Sequence, residues 1–247
     1  MSIEAIDFSG PWLTTEQMVE VDRLMIEDLG IELIQMMENA GRNLARLASD
    51  RFFAGDPADK TVVVLAGTGG NGGGTLVCAR RLVGWGVKVE MVLSRSDEAF
   101  TSVPCHQLSI LRKMGVSCSV AGEFDGAESA DLVIDGLIGY SLDGSPRGAA
   151  VDLIRWANDQ ASPVLSLDVP SGVDAGSGEV FDPAVRATAT LTLALPKVGL
   201  RADGAVGHVG ELYLADIGVP PSLYTGPSLA LPPVGPLFAT GDIVRLT

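Results

Sequence analysis

The spacing of apolar residues changes near residue 60. Before it, Met18, Val21, Met25 and Leu29 recur at three- and four-residue steps, so residues 14–29 are expected as a helix with one apolar face. Thr14 and Gln17 stand at capping-box spacing, and Gly30 is a natural stop. Leu33, Met36, Met37, Ala40, Leu44, Leu47 and Ala48 form a second stripe, which predicts a helix from about Glu32 to Phe52. Inside it, Glu38 and Asn39 of MMENAG read as solvated polar residues. Residues 1–13 show no period and are expected to be irregular.

After residue 60 the pattern becomes short apolar, β-branched runs separated by polar or helical stretches. Strands are expected at Thr61–Ala66, Val87–Leu93, Val116–Val120, Asp131–Ile138, Val164–Leu167 and Thr188–Leu195, with Gly210–Ile217 as a last edge strand. Helices are expected after the first strand, over His106–Met114 and over Ala149–Asn158. AGEFDGAES, residues 121–129, reads as a loop. Strands alternating with helices predict an α/β fold of Rossmann-like, three-layer α/β/α type, with a mostly parallel sheet and two N-terminal helices added to it. Residues 1–225 read as one domain. Residues 226–247, part of a stretch rich in Pro, Gly and Ser from residue 219, read as an irregular C-terminal tail.

Between the first strand and its helix, Gly67–Gly74 holds six glycines in eight residues. A glycine-rich turn that opens a helix lets a phosphate approach backbone N–H groups closely. Gly67, Gly69 and Gly72 also fit the dinucleotide pattern G-x-G-x-x-G. No Lys follows the glycines, which argues against a nucleoside-triphosphate loop. The plainer reading is a turn that only packs a helix on a sheet.

Composition narrows the function classes. The 247 residues are 47% hydrophobic, enough for a full α/β core. A formal net charge of −14 argues against a nucleic-acid surface. Three widely spaced cysteines suggest neither a disulfide framework nor a zinc site and favour a reducing, cytoplasmic setting. The start carries no signal-peptide pattern, and no apolar stretch has the length of a membrane span.

Three loops fall at the carboxyl ends of expected strands, where open α/β sheets bind ligands. They are Gly67–Gly74, the stretch from Asp135 to Gly148, and Asp168–Gly172. Asn71, Asp135, Asp168 and Ser171 are their polar members, an oxygen set able to hold one hard cation. Asp168 or Asp135 is also a candidate acid or base. Arg95, at the end of the second expected strand, can meet a ribose phosphate or simply be solvated. Lys197 reads either as a ligand contact or as a solvated side chain. On the residues alone, the reading ends at a phosphate-containing ligand near carboxylates.

MMENAG, GTGGNGGG, DGLIGYSLDGSPRG, SLDVPSGVD and LPKVGL resemble, in order and spacing, the YjeF N-terminal domain family, and DIGVP near the end matches as well. The resemblance spans roughly residues 14–220. It implies a Rossmann-like, usually dimeric NAD(P)H-hydrate epimerase that interconverts the R and S forms of NADHX and NADPHX, damaged cofactors hydroxylated at C6 of the reduced nicotinamide ring. It implies a potassium ion held by Asn71, Asp135 and Ser171. Substrate contacts carry over to Gly70, Asn71, Gly72, Gly73 and Gly74, to Gly139, Tyr140, Ser141, Leu142, Asp143, Gly144 and Ser145, and to Asp168. Asp168 is the first catalytic candidate and Asp135 the second. A dehydratase that uses the S form would be a separate chain and a functional partner.

The family's glycine loop usually reads G-x-G-N-N-G-G-D-G, whereas this chain has Gly70, Gly74 and Thr75 at the first Asn, the Asp and the following Gly. The Asp missing at Gly74 is expected to remove a carboxylate from the substrate loop. That departure keeps open an alternative function, a non-catalytic protein that binds a nucleotide-like ligand.

Overall fold

The computed structural model describes residues 3–126 and 129–247, so Met1, Ser2 and residues 127 and 128 of the expected loop 121–129 lie outside the described residues. A nine-stranded sheet organises it. The strands are β1 (Glu4–Ile6), β2 (Thr61–Ala66), β3 (Lys88–Leu93), β4 (Ser117–Val120), β5 (Leu132–Gly136), β6 (Val164–Leu167), β7 (Ala189–Leu193), β8 (Glu211–Ala215) and β9 (Ile243–Leu246). Their order is β1-β9-β8-β7-β6-β5-β2-β3-β4, parallel except for the antiparallel β8–β9 pair. The expected α/β class and mostly parallel sheet are therefore present.

The helices that matter for the site are α1 (Thr15–Arg23), α2 (Leu33–Leu47), α3 (Gly70–Gly84), α4 (Ser102–Lys113) and α5 (Ala149–Asp159). One π-helical turn, Leu24–Asp28, extends α1 and another, Ala48–Phe52, extends α2. Thr14 and Gln17 make the expected capping box, with Gln17 N donating to Thr14 Oγ1 at 3.2 Å and Thr14 N to Gln17 Oε1 at 2.9 Å. α4 begins four residues before the expected His106, because Thr101 takes the N-cap position and Pro104 fits the first turn.

Both ends of the chain differ from expectation, for one reason. The segment before α1 is not wholly irregular, since Glu4–Ile6 pairs with Val244–Leu246. The tail 226–247 is likewise not irregular throughout, because it contributes β9. β9 in turn covers β8, so Gly210–Ile217 does not supply the edge strand. β1 is short and pairs only with β9, more than 200 residues away, and the short β9 lies between β1 and β8. Local periodicity carries no signal of that length. Leu214, Val244 and Leu246 form a small apolar cluster beneath the added strands.

The chain lays down β2, β3 and β4 in one direction and then crosses back to place β5 on the other side of β2. At this reversal the loops after β2 and β5 run apart and leave a crevice at the strands' carboxyl ends. α3 covers one face of the sheet at β2 and packs on α2, where close contact depends on small residues. A Cβ on Gly41 would overlap Gly74 O and the Val77 side chain, and one on Gly73 would overlap the Met37 side chain. Leu44, Leu47, Leu76, Leu82, Leu165 and Leu191 fill the core on that face, while Val63, Leu65, Val133, Leu153 and Ile154 fill the core under α5.

Candidate active site

The crevice is a cleft of ≈ 520 Å³. Its floor is built from strand ends: Thr68–Asn71 after β2, Leu137–Ser141 after β5, Leu167 at the end of β6 and Asp168 after it, and Leu193 at the end of β7. Its apolar roof comes from Met18 and Ile26 on or after α1 and from Leu33, Met36, Met37 and Ala40 on α2. The two N-terminal helices thus form one wall of the site.

The roof is held in place by main-chain and side-chain bonds. Leu13 N donates to Pro196 O at 2.8 Å and Val198 N to Leu13 O at 2.9 Å, which fastens the start of α1 to the loop after β7. Asn43 Nδ2 donates to Asp216 O at 2.8 Å and Asn39 Nδ2 to Ile217 O at 3.3 Å, which holds α2 over the end of β8. Glu38 accepts from Arg80, from Arg81 at 3.3 Å and from Gln107 at 3.1 Å, joining α2, α3 and α4. Glu38 and Asn39 are therefore structural ties, not the solvated residues their spacing suggested. Their partners lie 42 to 178 positions away, beyond the reach of a helix pattern.

Only part of the glycine stretch faces the cleft. Gly70–Gly74 already belong to α3, and Gly69 is its N-cap. Gly69, Gly70 and Asn71 line the cleft at the positive end of that helix. Gly72, Gly73 and Gly74 are buried behind it. A Cβ on Gly72 would overlap the backbone of Gly67. Gly74 faces Leu167 Cδ2, 2.7 Å from where a Cβ would stand. The structure places these three glycines in packing contacts and not among the residues that line the cleft. A side chain at Gly74 would meet Leu167, itself a cleft-lining residue, so the absence of the family's Asp leaves Leu167 in that place. Gly72→Ala is expected to cost about 1–3 kcal/mol of stability, as overpacking does. Gly70→Ala, whose Cβ enters open space, should leave the urea midpoint nearly unchanged.

Gly139, Tyr140 and Ser141 line the cleft as expected, whereas Leu142, Asp143, Gly144 and Ser145 are not among its lining residues. The chain turns away after Ser141, with Gly144 in the left-handed region at φ +72°. Arg95 is exposed beyond the end of β3.

The two candidate carboxylates have different surroundings. Asp135, on β5, is completely buried and does not line the cleft. It accepts from Ser171 Oγ (2.6 Å), Leu137 N (3.2 Å), Ser166 Oγ (2.8 Å) and Ser171 N (2.9 Å). All four acceptor sites of the carboxylate are occupied by protein donors, away from the cleft lining. All four donors are neutral, and burial pushes its carboxyl above the usual range. A buried carboxylate with no cationic side chain bonded to it among the described residues is suited to a bound cation. Asn71 Nδ2 is buried with no hydrogen-bond partner among the described residues, and Gly139 is so close that a Cβ would stand 3.2 Å from Asn71 Cγ.

Asp168 follows β6 and lines the cleft at 3% exposure. Its φ of +66° is left-handed, a conformation that Asp tolerates better than most residues and that recurs at functional sites. Oδ1 accepts from Lys197 Nζ, from Leu193 N at 3.3 Å and from Thr192 Oγ1 at 3.4 Å. Lys197 is completely buried and also donates to Leu193 O at 2.7 Å. It is neither solvated nor free to roam, and its ammonium is fixed beside Asp168. Asp168 and Asp135 therefore do not share a cation, because Lys197 already neutralises Asp168.

One lining group escaped the sequence reading. Asp22, on α1, accepts from Tyr140 OH at 2.6 Å. Burial raises the carboxyl of Asp22 above its usual range, and burial together with Asp22 raises the Tyr140 hydroxyl. The only sequence signal was a polar residue one step from Val21, on the buried face of α1.

A model of the family described as YjeF-related protein N-terminus matches residues 33–199. Over 235 residues the chain is 45% identical to a Dehalogenimonas lykanthroporepellens protein named NAD(P)H-hydrate epimerase, covering 95% of this chain and 92% of that one. It is 36% identical over 225 residues to a Salinibacter ruber protein named bifunctional NAD(P)H-hydrate repair enzyme Nnr, covering 85% of this chain and 41% of that longer one. The crystal structure of the yeast protein ynu0 matches with a TM-score of 0.79 at 23% identity, over 96% of this chain and 100% of that one, and shows the same fold.

Proposed function

The chain belongs to the YjeF-related N-terminal family, and from that premise we propose that it is an NAD(P)H-hydrate epimerase, an isomerase that interconverts the R and S forms of NADHX and NADPHX. The observation that carries this reading is the buried Asp168–Lys197 pair at the floor of a cleft that opens beside the N-terminus of α3. The helix terminus suits a phosphate group. The apolar roof of Met18, Met36 and Met37 suits a flat ring.

The C6 carbon of the substrate carries both a ring nitrogen and a hydroxyl. Loss of the hydroxyl gives an iminium cation that water can attack from either face. Asp168 lines the cleft where its negative charge stabilises that cation, and it takes the proton shed by the attacking water. Lys197 and Leu193 N hold one of its oxygens and fix its direction.

Asn71, Asp135 and Ser171 would hold a potassium ion through hard oxygens once the Ser171 hydroxyl gives its proton to Ile138 O at 3.2 Å instead of to Asp135, which frees one lone-pair site of the buried carboxylate. The ion would supply a fixed positive charge beside the glycine turn. The reading also takes the protein as a cytoplasmic homodimer, with Val19, Ile26 and Leu29 offering exposed apolar area. No helix among the described residues is long and apolar enough to cross a membrane. The longer relatives named as bifunctional support a dehydratase as the functional partner.

The test is to supply R-NADHX to the purified protein with an S-specific dehydratase and ATP, and to follow recovery of NADH absorbance against a protein-free control. Faster recovery is expected. Recovery at the spontaneous rate, with nucleotide binding still seen by calorimetry, would replace this reading with a non-catalytic binding protein.

A further inference from the structure

Epimerisation needs a proton on the departing hydroxyl as well as a place for the proton shed by the incoming water. Asp168 suits the second task, because a carboxylate ion-paired to Lys197 carries no proton to give. A donor must therefore come from elsewhere in the cleft. The only other carboxyl group among its lining residues is Asp22.

We propose that Asp22, hydrogen-bonded by Tyr140, is the proton donor of the cleft, acting on the C6 hydroxyl of the hydrated nicotinamide ring. The inference rests on the epimerase reading given above. It stands on geometry that brings four elements together. Asp22 is carried by α1, which the Leu13–Pro196 and Val198–Leu13 bonds clamp beside Lys197. Tyr140, from the loop after β5, holds one oxygen of Asp22 at 2.6 Å and leaves the other for a ligand. Asp168 and Lys197, from the loops after β6 and β7, are the charged groups that face the pair. α2 adds only apolar side chains, Leu33, Met36, Met37 and Ala40, to this part of the lining. Those apolar neighbours favour the neutral, proton-bearing form of Asp22, in line with its raised carboxyl.

The step balances as follows. The Asp22 O–H gives its proton to the C6 hydroxyl oxygen. The C6–O bond breaks and its electron pair leaves with the new water. The ring-nitrogen lone pair closes a C=N bond and forms the cation. A water then attacks C6 on the opposite face, and the C=N pair returns to nitrogen. The proton of that water goes to Asp168, and exchange with solvent resets both carboxyl groups.

Asp22→Asn keeps the shape and the acceptor for Tyr140 but has no acidic proton. Its kcat is expected to fall by about 10²–10⁴, with KM changed less than about threefold and the melting temperature close to that of the unaltered protein. Tyr140→Phe removes a donor that lowers the carboxyl of Asp22. Activity requires protonated Asp22 and is lost as pH rises through its ionisation. The alkaline limb of kcat/KM should therefore move to higher pH in Tyr140→Phe. A folded Asp22→Asn protein that keeps more than a tenth of kcat, or an alkaline limb unmoved by Tyr140→Phe, would overturn the assignment. An unaltered protein inactive at every pH would sink the epimerase reading and this one together. An active protein with an undiminished Asp22→Asn variant sinks only the role of Asp22.

Discussion

Lys197→Met is expected to destabilise the protein by about 3–5 kcal/mol, the usual cost of stranding one partner of a buried ion pair. Lys197 is 0% exposed and Asp168 only 3%. Without the ammonium, Oδ1 of Asp168 keeps Leu193 N at 3.3 Å and Thr192 Oγ1 at 3.4 Å, both long for partners of a charge. Methionine fills similar volume, so the loss reports the charge and not a cavity. The urea midpoint should fall with the slope unchanged. Adding Asp168→Asn should recover part of the loss, because the neutral amide no longer needs a cation, and couplings of about 0.5–3 kcal/mol are usual for residues in contact. If the double variant were less stable than Lys197→Met alone, the pair would not be coupled in this way.

Asp168→Asn alone should remove the chemistry and also cost stability. The amide oxygen still accepts from Lys197, but the buried ammonium loses its counter-charge, so the loss should be of the same order as that of Lys197→Met. The epimerase rate should fall by about 10²–10⁴ because the amide neither takes a proton nor balances the iminium charge. The coupled NADHX assay reads this directly, and a full rate in a folded Asp168→Asn protein would show that the catalytic carboxylate lies elsewhere.

Much of this was legible in the sequence. Thr61–Ala66 and Val164–Leu167 match β2 and β6 residue for residue, and α5 runs one residue past its expected end. These elements are long or apolar enough for local pattern to fix them. The identities of Asn71, Gly139, Tyr140, Ser141 and Asp168 as cleft residues were also legible, because strand-end loops in such sheets bind ligands and the motifs mark those loops. The packing of Gly72, Gly73 and Gly74 was not legible, because a glycine needed for close helix packing looks the same in sequence as one that cradles a ligand.

What the chain determined by itself was the alternation of strand and helix and the set of polar residues at the strand ends. Both follow from nearest-neighbour physics, the period of apolar burial and the turn-forming power of glycine and proline. Tertiary structure alone decided which polar residue meets which. Lys197 lies 29 positions from Asp168, Tyr140 lies 118 from Asp22, and β9 lies more than 200 from β1. Such pairs form only when the sheet's reversal at β2 and β5 brings distant loops to one edge. There, exclusion of water makes an unpaired charge costly and a paired one specific.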